Sequence, residues 1–329
     1  MARRIIHRAI TSFATIYIII TISFIFVRFM PGNPLIHLVG EEDYYYLLDK
    51  SPEILNEIAE KYGLNNSLYI QYTKYIKSVV TLDFGRSYIN HKLVTDNVAA
   101  ASKWTLMISI PALILGGLIG CIAGTLAGWK PEGLFDKIST PIVIFLNTMP
   151  SNCTALILLI IFSYKLKIFP INGMVSARIE GFERFMSILH HLTLPLTVLV
   201  LSRSAGNYML MKSSVSQVRH EEYILTATSK GLKPRTVLFR HIMKNALPPY
   251  LTSVCMQMGG ILSGSMVVEV VFGWKGMGKL FYDAVQSRDF PTAQLCFLIS
   301  AVLTVGSIFL SDIINVMLDP RIKEIKSYE

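Results

Sequence analysis

Six apolar runs, each long enough to cross a lipid bilayer, constrain the fold of this sequence more than any other feature. A membrane-spanning helix needs roughly 20 predominantly apolar residues. The runs that reach this length are 9–29, 104–128, 138–163, 192–211, 246–272 and 292–318. Charged residues make up 16% of the chain, well below the roughly 25% of an ordinary soluble domain. The sequence therefore predicts an all-α integral membrane protein with six transmembrane helices.

The distribution of basic residues indicates how these helices are oriented. An even number of crossings puts both termini on one side, and short cytoplasmic segments are rich in lysine and arginine. Arg3, Arg4 and Arg8 precede the first run, and 212–245 holds seven basic residues. We therefore predict that both termini are cytoplasmic. The resulting segments are a cytoplasmic N-terminus 1–8, a first transmembrane helix 9–29, an extracytoplasmic loop 30–103, a five-helix core 104–318 with the cytoplasmic loop 212–245, and a cytoplasmic C-terminus 319–329.

The extracytoplasmic loop carries helix signals of its own. Ser51, Pro52 and Glu53 combine a capping residue, a proline at the first helical position and an acid in the first turn. They predict a helix that begins here and ends near Gly63. A second helix is predicted over 70–80, followed by a loop over 81–88.

A glycine pattern in 267–281 raises the question of nucleotide binding. Gly273, Gly278 and Lys279 have the spacing of G-x-x-x-x-G-K, the phosphate-binding loop. Leu280, however, occupies the position of the hydroxyl residue that binds Mg²⁺, and the predicted orientation places the stretch outside the cell. We therefore predict a tight turn after the fifth helix and no nucleotide site. The scattered cysteines and histidines also predict no metal site, so the chain is expected to bind no cofactor itself.

The second apolar run contains a row of glycines on one helix face. They recur every four residues, at Gly116, Gly120, Gly124 and Gly128. Glycines in such a row let another helix backbone approach closely in a membrane. The pattern predicts a helix-packing face.

Polar side chains inside the predicted spans are candidates for a translocation pathway. Polar and ionisable groups at membrane depth are costly, so their presence points to function. The residues predicted to line a pathway are Asn147, Arg203, Asn207, Gln257 and Glu269. The alternative is that Arg203 and Glu269 extend towards a membrane surface or lie near one.

The cytoplasmic segment 219–249 has an interrupted helical pattern. Gly231 is placed to end one short helix, and Pro234 to begin the next. We expect Tyr223, Ile224 and Leu232 to be exposed without a partner inside the loop. The loop then either rests on lipid headgroups or contacts a cytoplasmic protein.

Short motifs in this order resemble the B-type permeases of bacterial dipeptide, oligopeptide and nickel ABC importers. Pro31–Pro34 reads P-G-N-P, and Asp83–Ser87 fits D-F-G-x-S. The cytoplasmic loop fits Y-x-x-T-A-x-x-K-G-L from Tyr223 to Leu232 and then N-A-L-x-P from Asn245. Residues 269–291 fit E-x-V-F-x-x-x-G-x-G-x-L followed by A-x-x-x-R-D-x-P. The loop is similar to the EAA loop of ABC importers, with Leu225 at the position of the glutamate.

The resemblance implies a type I ABC importer permease fold in the bacterial inner membrane. It implies a transport subunit that is not an enzyme, with a second homologous permease, two cytoplasmic ATPases and an extracytoplasmic binding protein as partners. ATP and Mg²⁺ would be used by those ATPases. The implied ATPase-coupling residues are Arg219, Glu222, Tyr223, Thr226, Ala227, Lys230, Gly231 and Leu232. The implied outer-gate or binding-protein contacts are Asp83, Gly85, Gly276, Gly278, Arg288 and Asp289.

Other functional classes remain open from the residues alone. A secondary transporter or channel that works alone would show inverted repeats and a deep pair of acids. A membrane-embedded enzyme would show converging catalytic side chains on facing helices. Neither pattern is visible in the sequence. The substrate also stays open among dipeptides, oligopeptides, nickel chelates and other small solutes.

Overall fold

The chain is built from helices throughout the residues that the structure describes. The structure is a computed structural model and describes residues 2–29, 34–61, 63–175, 180–262 and 265–318. Within these ranges the only strand-like pairing is an isolated antiparallel bridge between Arg86 and Leu93. The prediction of an all-α chain is confirmed, whereas the predicted segment 319–329 and Pro31 of the P-G-N-P motif lie outside the described residues.

The helices follow one another along the chain, with longer connections over 82–93 and 166–180. In chain order they are α1 (Ala2–Arg28), α2 (Pro34–Val39), α3 (Glu41–Lys50), α4 (Pro52–Lys61), α5 (Leu68–Thr81), α6 (Val94–Trp129), α7 (Leu134–Thr148), α8 (Ser151–Leu158), α9 (Gly181–Arg219), α10 (Glu222–Ser229), α11 (Pro234–Thr236), α12 (Met243–Gly259), α13 (Met266–Val271), α14 (Met277–Gln286) and α15 (Phe290–Leu318). Two π-helical segments, Leu159–Lys165 and Val237–Ile242, continue α8 and join α11 to α12.

Four of the six predicted spans correspond to single long helices. By length and composition α1, α6, α9 and α15 can each cross a membrane. Helices α6 and α9 run well beyond the predicted limits 104–128 and 192–211, with 36 and 39 residues. Their additional turns are more polar, so hydropathy alone ended the predicted spans too early.

The third predicted span, 138–163, is bent. Helix α7 and the segment Ser151–Lys165 meet at an angle of 103° and together count as one further candidate span. Proline disfavours a helical conformation of the residue before it, and Met149, which precedes Pro150, is extended at φ −75° and ψ 126°. The predicted span 138–163 therefore consists of two helical segments joined by a sharp bend at Pro150.

The fifth predicted span, 246–272, is interrupted. Helix α12 ends at Gly259, and the short helix α13 begins only at Met266. Gly259 lies so close to α15 that a Cβ atom there would be 2.8 Å from the Cα atom of Thr304. The prediction of one helix over 246–272 is wrong, and the described residues contain four candidate spans, or five with the bent pair.

The row of glycines in α6 packs directly on α9, as predicted. A Cβ atom at Gly116 would lie 2.8 Å from Arg203 Cβ, and one at Gly124 would lie 2.6 Å from the Tyr208 carbonyl oxygen. The residue numbers rise together along the contact, because Gly120 lies against Asn207 and Gly128 against Val215. Helices α6 and α9 are therefore parallel, and their C-terminal ends lie on the same side of the molecule.

The first and last long helices meet at one end. An Arg8 nitrogen lies 3.0 Å from an Asp312 carboxylate oxygen, which joins the first turns of α1 to the final turns of α15. At the opposite end of α15, Ser87 and Tyr88 of the 30–103 region contact Asp289. Helices α4 and α5 confirm the two helices predicted there, whereas α2 and α3 were missed. The acids Glu41–Asp43 and the final Lys50 of α3 were a usable signal, since they complement the helix dipole.

Candidate functional site

The loop after α9 is a compact pair of short helices. Helix α10 ends before Gly231, whose φ of +74° suits glycine. Pro234 then occupies the first turn of α11. These features confirm the predicted helix end and restart. The chain reverses here within a few residues, so α10 folds back towards the π-helical segment that leads into α12.

The inner side of α10 is packed against the body of the chain. Ile224 is 3% exposed and belongs to a cluster with Met211, Val215, Val237 and Ile242. The expectation that Ile224 is exposed without a partner is therefore wrong, because the fold-back supplies partners from α9 and from the π-helical segment. Burial of such a side chain contributes about 1.5–3 kcal/mol, which holds α10 against its base.

Tyr223 also has a partner inside the loop, contrary to expectation. The Asn245 side chain donates a hydrogen bond of 2.8 Å to the Tyr223 hydroxyl. Asn245 lies in the first turn of α12, which the sequence alone does not bring next to Tyr223. The bond links α10 to α12 across the outer side of the loop.

The outer side of α10 is left uncovered by the residues that the structure describes. Leu225 is 69% exposed, and Leu232 is also exposed. Of the residues predicted for coupling, Ala227 is buried and Arg219 half-buried, while the others are exposed: Glu222, Tyr223, Thr226, Lys230, Gly231 and Leu232. The loop thus presents an apolar leucine, surrounded by polar groups, on a rigid support.

A polar network that the sequence reading missed lies under this loop. Asp136 of α7 is paired with Lys212 of α9, and the Lys212 amine also donates to the Thr140 hydroxyl at 2.8 Å. The Tyr208 hydroxyl lies 2.8 Å from the hydroxyls of Ser139 and Thr140. The network joins the start of α7 to the last turns of α9. The signal was Asp136 in the first turn after Gly133, a position that favours an acid.

The predicted pathway residues are only partly brought together. Asn207 and Gln257 form a reciprocal amide pair, with hydrogen bonds of 2.8 and 3.4 Å between α9 and α12. Asn147 is exposed on α7, near Gly206. Arg203 is half-buried one turn before Asn207.

Glu269 lies apart from that group and is enclosed by the chain. It is 0% exposed, and its carboxylate accepts hydrogen bonds of 2.7 Å from each of the Thr105 and Ser265 hydroxyls and one of 3.0 Å from the Lys279 backbone N–H. The Glu269 side chain is therefore not directed to the surface of the described chain. Its charge lies at the N-terminus of α14, where a helix dipole stabilises an anion.

The glycines after α13 make room for this carboxylate. A Cβ atom at Gly276 would collide with the Glu269 carboxylate and lie 2.5 Å from the Thr105 hydroxyl, and one at Gly278 would lie 2.6 Å from the Met266 Cα atom. The predicted tight turn is thus confirmed. The helix N-terminus that would bind phosphate in a nucleotide site is filled here by the chain's own glutamate.

Asp289 fastens the loop 82–93 to the start of α15. It is buried, and it accepts hydrogen bonds from the Ser87 hydroxyl at 2.5 Å, the Tyr88 backbone N–H at 3.1 Å and the Thr292 hydroxyl at 2.7 Å. The same loop is shaped by Asp83, which accepts a hydrogen bond of 3.1 Å from the N–H of Gly85. The predicted outer residues therefore fall into two neighbouring structures, around Glu269 and around Asp289.

Substituting Asp289 by alanine is expected to loosen the loop 82–93. Loss of the two hydrogen bonds that reach the loop, each worth about 0.5–1.5 kcal/mol, should raise the rate of tryptic cleavage after Arg86 or Lys92 by about tenfold. Cleavage is measured by mass spectrometry under native conditions. Asp283→Ala is the control, because Asp283 is exposed and pairs only with Lys279 on the same helix. Equal cleavage rates in the two variants would show that Asp289 does not hold the loop.

Similarity to known proteins extends over nearly the whole chain. The family model described as binding-protein-dependent transport system inner membrane component matches residues 116–324, and the model of the corresponding N-terminal region matches 1–109. The oligopeptide transport system permease protein AppB of Bacillus subtilis is 33% identical over 98% of this chain and 100% of that protein. The di/tripeptide transport system permease protein DppB of Pseudomonas aeruginosa is 30% identical over 94% and 95%, and the metal-staphylopine import system permease protein CntB of Staphylococcus aureus is 29% identical over 98% and 99%.

The fold is also similar to one in a solved structure. A crystal structure of an amino acid ABC transporter with histidines superposes with a TM-score of 0.54 at 16% identity, covering 68% of this chain and 94% of the other. At that identity the likeness concerns the fold alone. Together with the family matches, which confirm the resemblance drawn from the motifs, these findings show that the chain belongs to the family of binding-protein-dependent transport system inner membrane components.

Proposed function

We propose that this chain is the permease subunit of an ATP-driven ABC importer and forms half of its transmembrane pathway. The observation that carries the proposal is the loop around α10, an exposed leucine-bearing surface on a buried and hydrogen-bonded base. A flexible loop would deform when a partner displaces it. A packed loop moves with the helices that it contacts and so transmits the displacement to them.

The contacts suggest how such a displacement would travel. Ile224 belongs to one buried apolar cluster with Met211 and Val215 of α9 and Ile242 next to α12. From α9 the displacement reaches α6 through the glycine contacts, which leave no side-chain layer to deform. Packed interfaces of this kind favour rigid-body movement between two states. We infer that closure of the ATPases moves α9, α12 and α6 together.

We further propose six crossings, a type I importer fold and cytoplasmic termini. The contact of Arg8 with Asp312 supports a common side for the two termini. The parallel course of α6 and α9 supports a common side for 129–137 and the coupling loop. The sixth crossing would be made by α12 and α13 with the turn between them.

For the pathway we propose Asn147, Arg203, Asn207 and Gln257, which lie on α7, α9 and α12. Glu269 is better assigned to support of the outer turn, because its carboxylate is satisfied inside the chain. Asp83, Gly85, Gly276, Gly278, Arg288 and Asp289 would support the outer gate or the surface that receives the binding protein.

The proposed partners are a second permease, two cytoplasmic ATPases and an extracytoplasmic binding protein. In this scheme the chain does not hydrolyse ATP itself, and ATP and Mg²⁺ are used by the ATPase subunits. The relatives named for peptides and for metal-staphylopine make small peptides or a metal chelate the proposed cargo.

The coupling role is tested by Leu225→Lys. A positive charge in the centre of the exposed surface should weaken ATPase association by about tenfold, the effect of losing about 1.4 kcal/mol. Association is measured as ATPase co-purified per permease. Leu68→Lys is the matched control, because Leu68 is an exposed leucine at the start of α5, on the opposite side in the proposed topology. Unchanged association in Leu225→Lys, with the protein folded, would rule out the coupling role.

A further inference from the structure

The segment that leads from α10 to α12 is strongly basic. The chain has no acidic residue between Glu222 and Glu269. Within that interval, 230–244 carries five lysines and arginines, namely Lys230, Lys233, Arg235, Arg240 and Lys244. None of the five forms an ion pair with another residue that the structure describes. Their positive charge is therefore not neutralised by the described part of the chain.

This segment is amphipathic, because one side of it is buried. Val237 and Ile242 are 0% exposed and belong to one buried apolar cluster with Met211 of α9. Side chains four residues apart lie on the same side of a helix. Phe239, which is 67% exposed, shares the outer side with three of the basic residues. The exposed residues of this side are Arg235, Phe239, Arg240 and Lys244.

The buried side places the segment at the level where two predicted spans end. Met211 is the last residue of the predicted span 192–211, and Trp129, the last residue of α6, packs against the same cluster. The apolar run 246–272 begins two residues after Lys244. In the proposed topology the exposed side of the segment therefore lies at the level of the lipid headgroups on the cytoplasmic side.

The charge and the exposed ring at this level suit an anionic phospholipid. Anionic lipids of the cytoplasmic leaflet attract basic residues next to a membrane-spanning helix. Arginine can form paired hydrogen bonds with a phosphate group, and lysine adds a point charge. Helices that lie at a membrane surface typically combine basic residues with aromatic rings that enter the acyl boundary. A cytoplasmic protein would instead meet the outer side of α10, where Leu225 is exposed.

We propose that the exposed side of 235–244 binds the headgroup of an anionic phospholipid, with its three basic side chains on the phosphate and Phe239 at the acyl boundary. The bound lipid also supports α10, because Asn245, the residue after Lys244, donates a hydrogen bond of 2.8 Å to the Tyr223 hydroxyl. The proposal rests on the proposed topology and does not depend on association with an ATPase.

The test is a titration of the full chain, purified in detergent, with phosphatidylglycerol or phosphatidylcholine, followed by native mass spectrometry. Phosphatidylglycerol should bind at least tenfold more tightly than phosphatidylcholine. Arg240→Gln combined with Lys244→Gln should reduce this preference to threefold or less, because two of the three cations are removed. Both side chains are exposed, so the double variant should fold normally.

Lys130→Gln combined with Lys137→Gln is the matched control. Both lysines are exposed and lie on the cytoplasmic side in the proposed topology, but outside the segment. The control removes the same charge and should keep the preference for phosphatidylglycerol. Equal binding of the two lipids by the parent chain would overturn the proposal. A preference that the double variant retains, or that the control lowers as much as the double variant does, would also overturn it.

A second measurement on the same double variant distinguishes lipid from protein. If the variant keeps the preference for phosphatidylglycerol but no longer co-purifies with an ATPase, this side of the segment belongs to the ATPase and the proposal is wrong. If the parent chain shows the preference but does not associate with an ATPase at all, the lipid site stands and only the coupling role fails.

Discussion

Gly120→Ala is expected to destabilise the chain by about 3 kcal/mol, because overpacking a tight interior contact costs about 1–3 kcal/mol and occasionally more. The new methyl group would collide with Asn207 Cβ and lie 2.9 Å from the Tyr208 backbone nitrogen. Neither neighbour is the free end of a flexible side chain, so α6 and α9 have to separate. We expect a lower midpoint of thermal unfolding in detergent. Unfolding is monitored by the fluorescence of a thiol-reactive dye or by circular dichroism.

Gly306→Ala is the control, and we expect it to change the stability in the opposite direction. Gly306 lies in the membrane-spanning helix α15, and a Cβ atom there would meet nothing within 4 Å. Alanine favours a helix over glycine by about 0.5–1 kcal/mol, so this variant should be as stable as the parent or slightly more stable. Equal destabilisation by the two substitutions would mean that the glycine row in α6 is not a close contact with α9.

Glu269→Ala is expected to cost about 3 kcal/mol or more, because each buried group left without its partner costs about 1–3 kcal/mol. The Lys279 N–H at the start of α14 loses its acceptor, and the Thr105 and Ser265 hydroxyls lose theirs. Thr105 also accepts a hydrogen bond of 2.7 Å from the Met277 N–H, so the loss extends to the first turn of α14. Hydrogen exchange should show faster exchange at Met277–Lys279 as well as a lower unfolding midpoint.

Asp283→Ala is the comparison for this variant as well. Asp283 is an exposed acid on α14 whose salt bridge with Lys279 is of a kind worth about 0.2–1 kcal/mol. Its loss should change the unfolding midpoint little. If Glu269→Ala were as mild as Asp283→Ala, Glu269 would not support the outer turn, and a place in the pathway would again be its best assignment.

Local patterns in the sequence predicted the parts of the fold that depend on local geometry. The glycines of α6 recur at the helical period, so their common face follows from spacing alone. Gly231 and Pro234 likewise mark a helix end and a helix start through their own backbone preferences. The motif order predicted the family, which the comparisons confirm.

The burial of Glu269 and of Ile224 could not be predicted from the sequence, because it depends on contacts between distant segments. The partner of Glu269 on α6, Thr105, is 164 residues away in sequence, so the burial of that carboxylate could not be read from its neighbours. Ile224 was expected on the surface because its partners Met211 and Ile242 come from two other segments. Hydropathy also does not reveal the helix breaks at Met149–Pro150 and after Gly259, because apolar residues lie on both sides of each break.

Site-specific crosslinking from α10 tests the coupling role most directly. Leu225 is replaced by the photo-crosslinking amino acid benzoylphenylalanine in the full transporter in native membranes, and the crosslinked products are identified by mass spectrometry. We expect a crosslink to an ATP-binding subunit whose yield changes when ATP is added, and no such crosslink from the same replacement at Leu68. Crosslinks from position 225 only to lipid or to extracytoplasmic protein, in a folded and inserted chain, would contradict it.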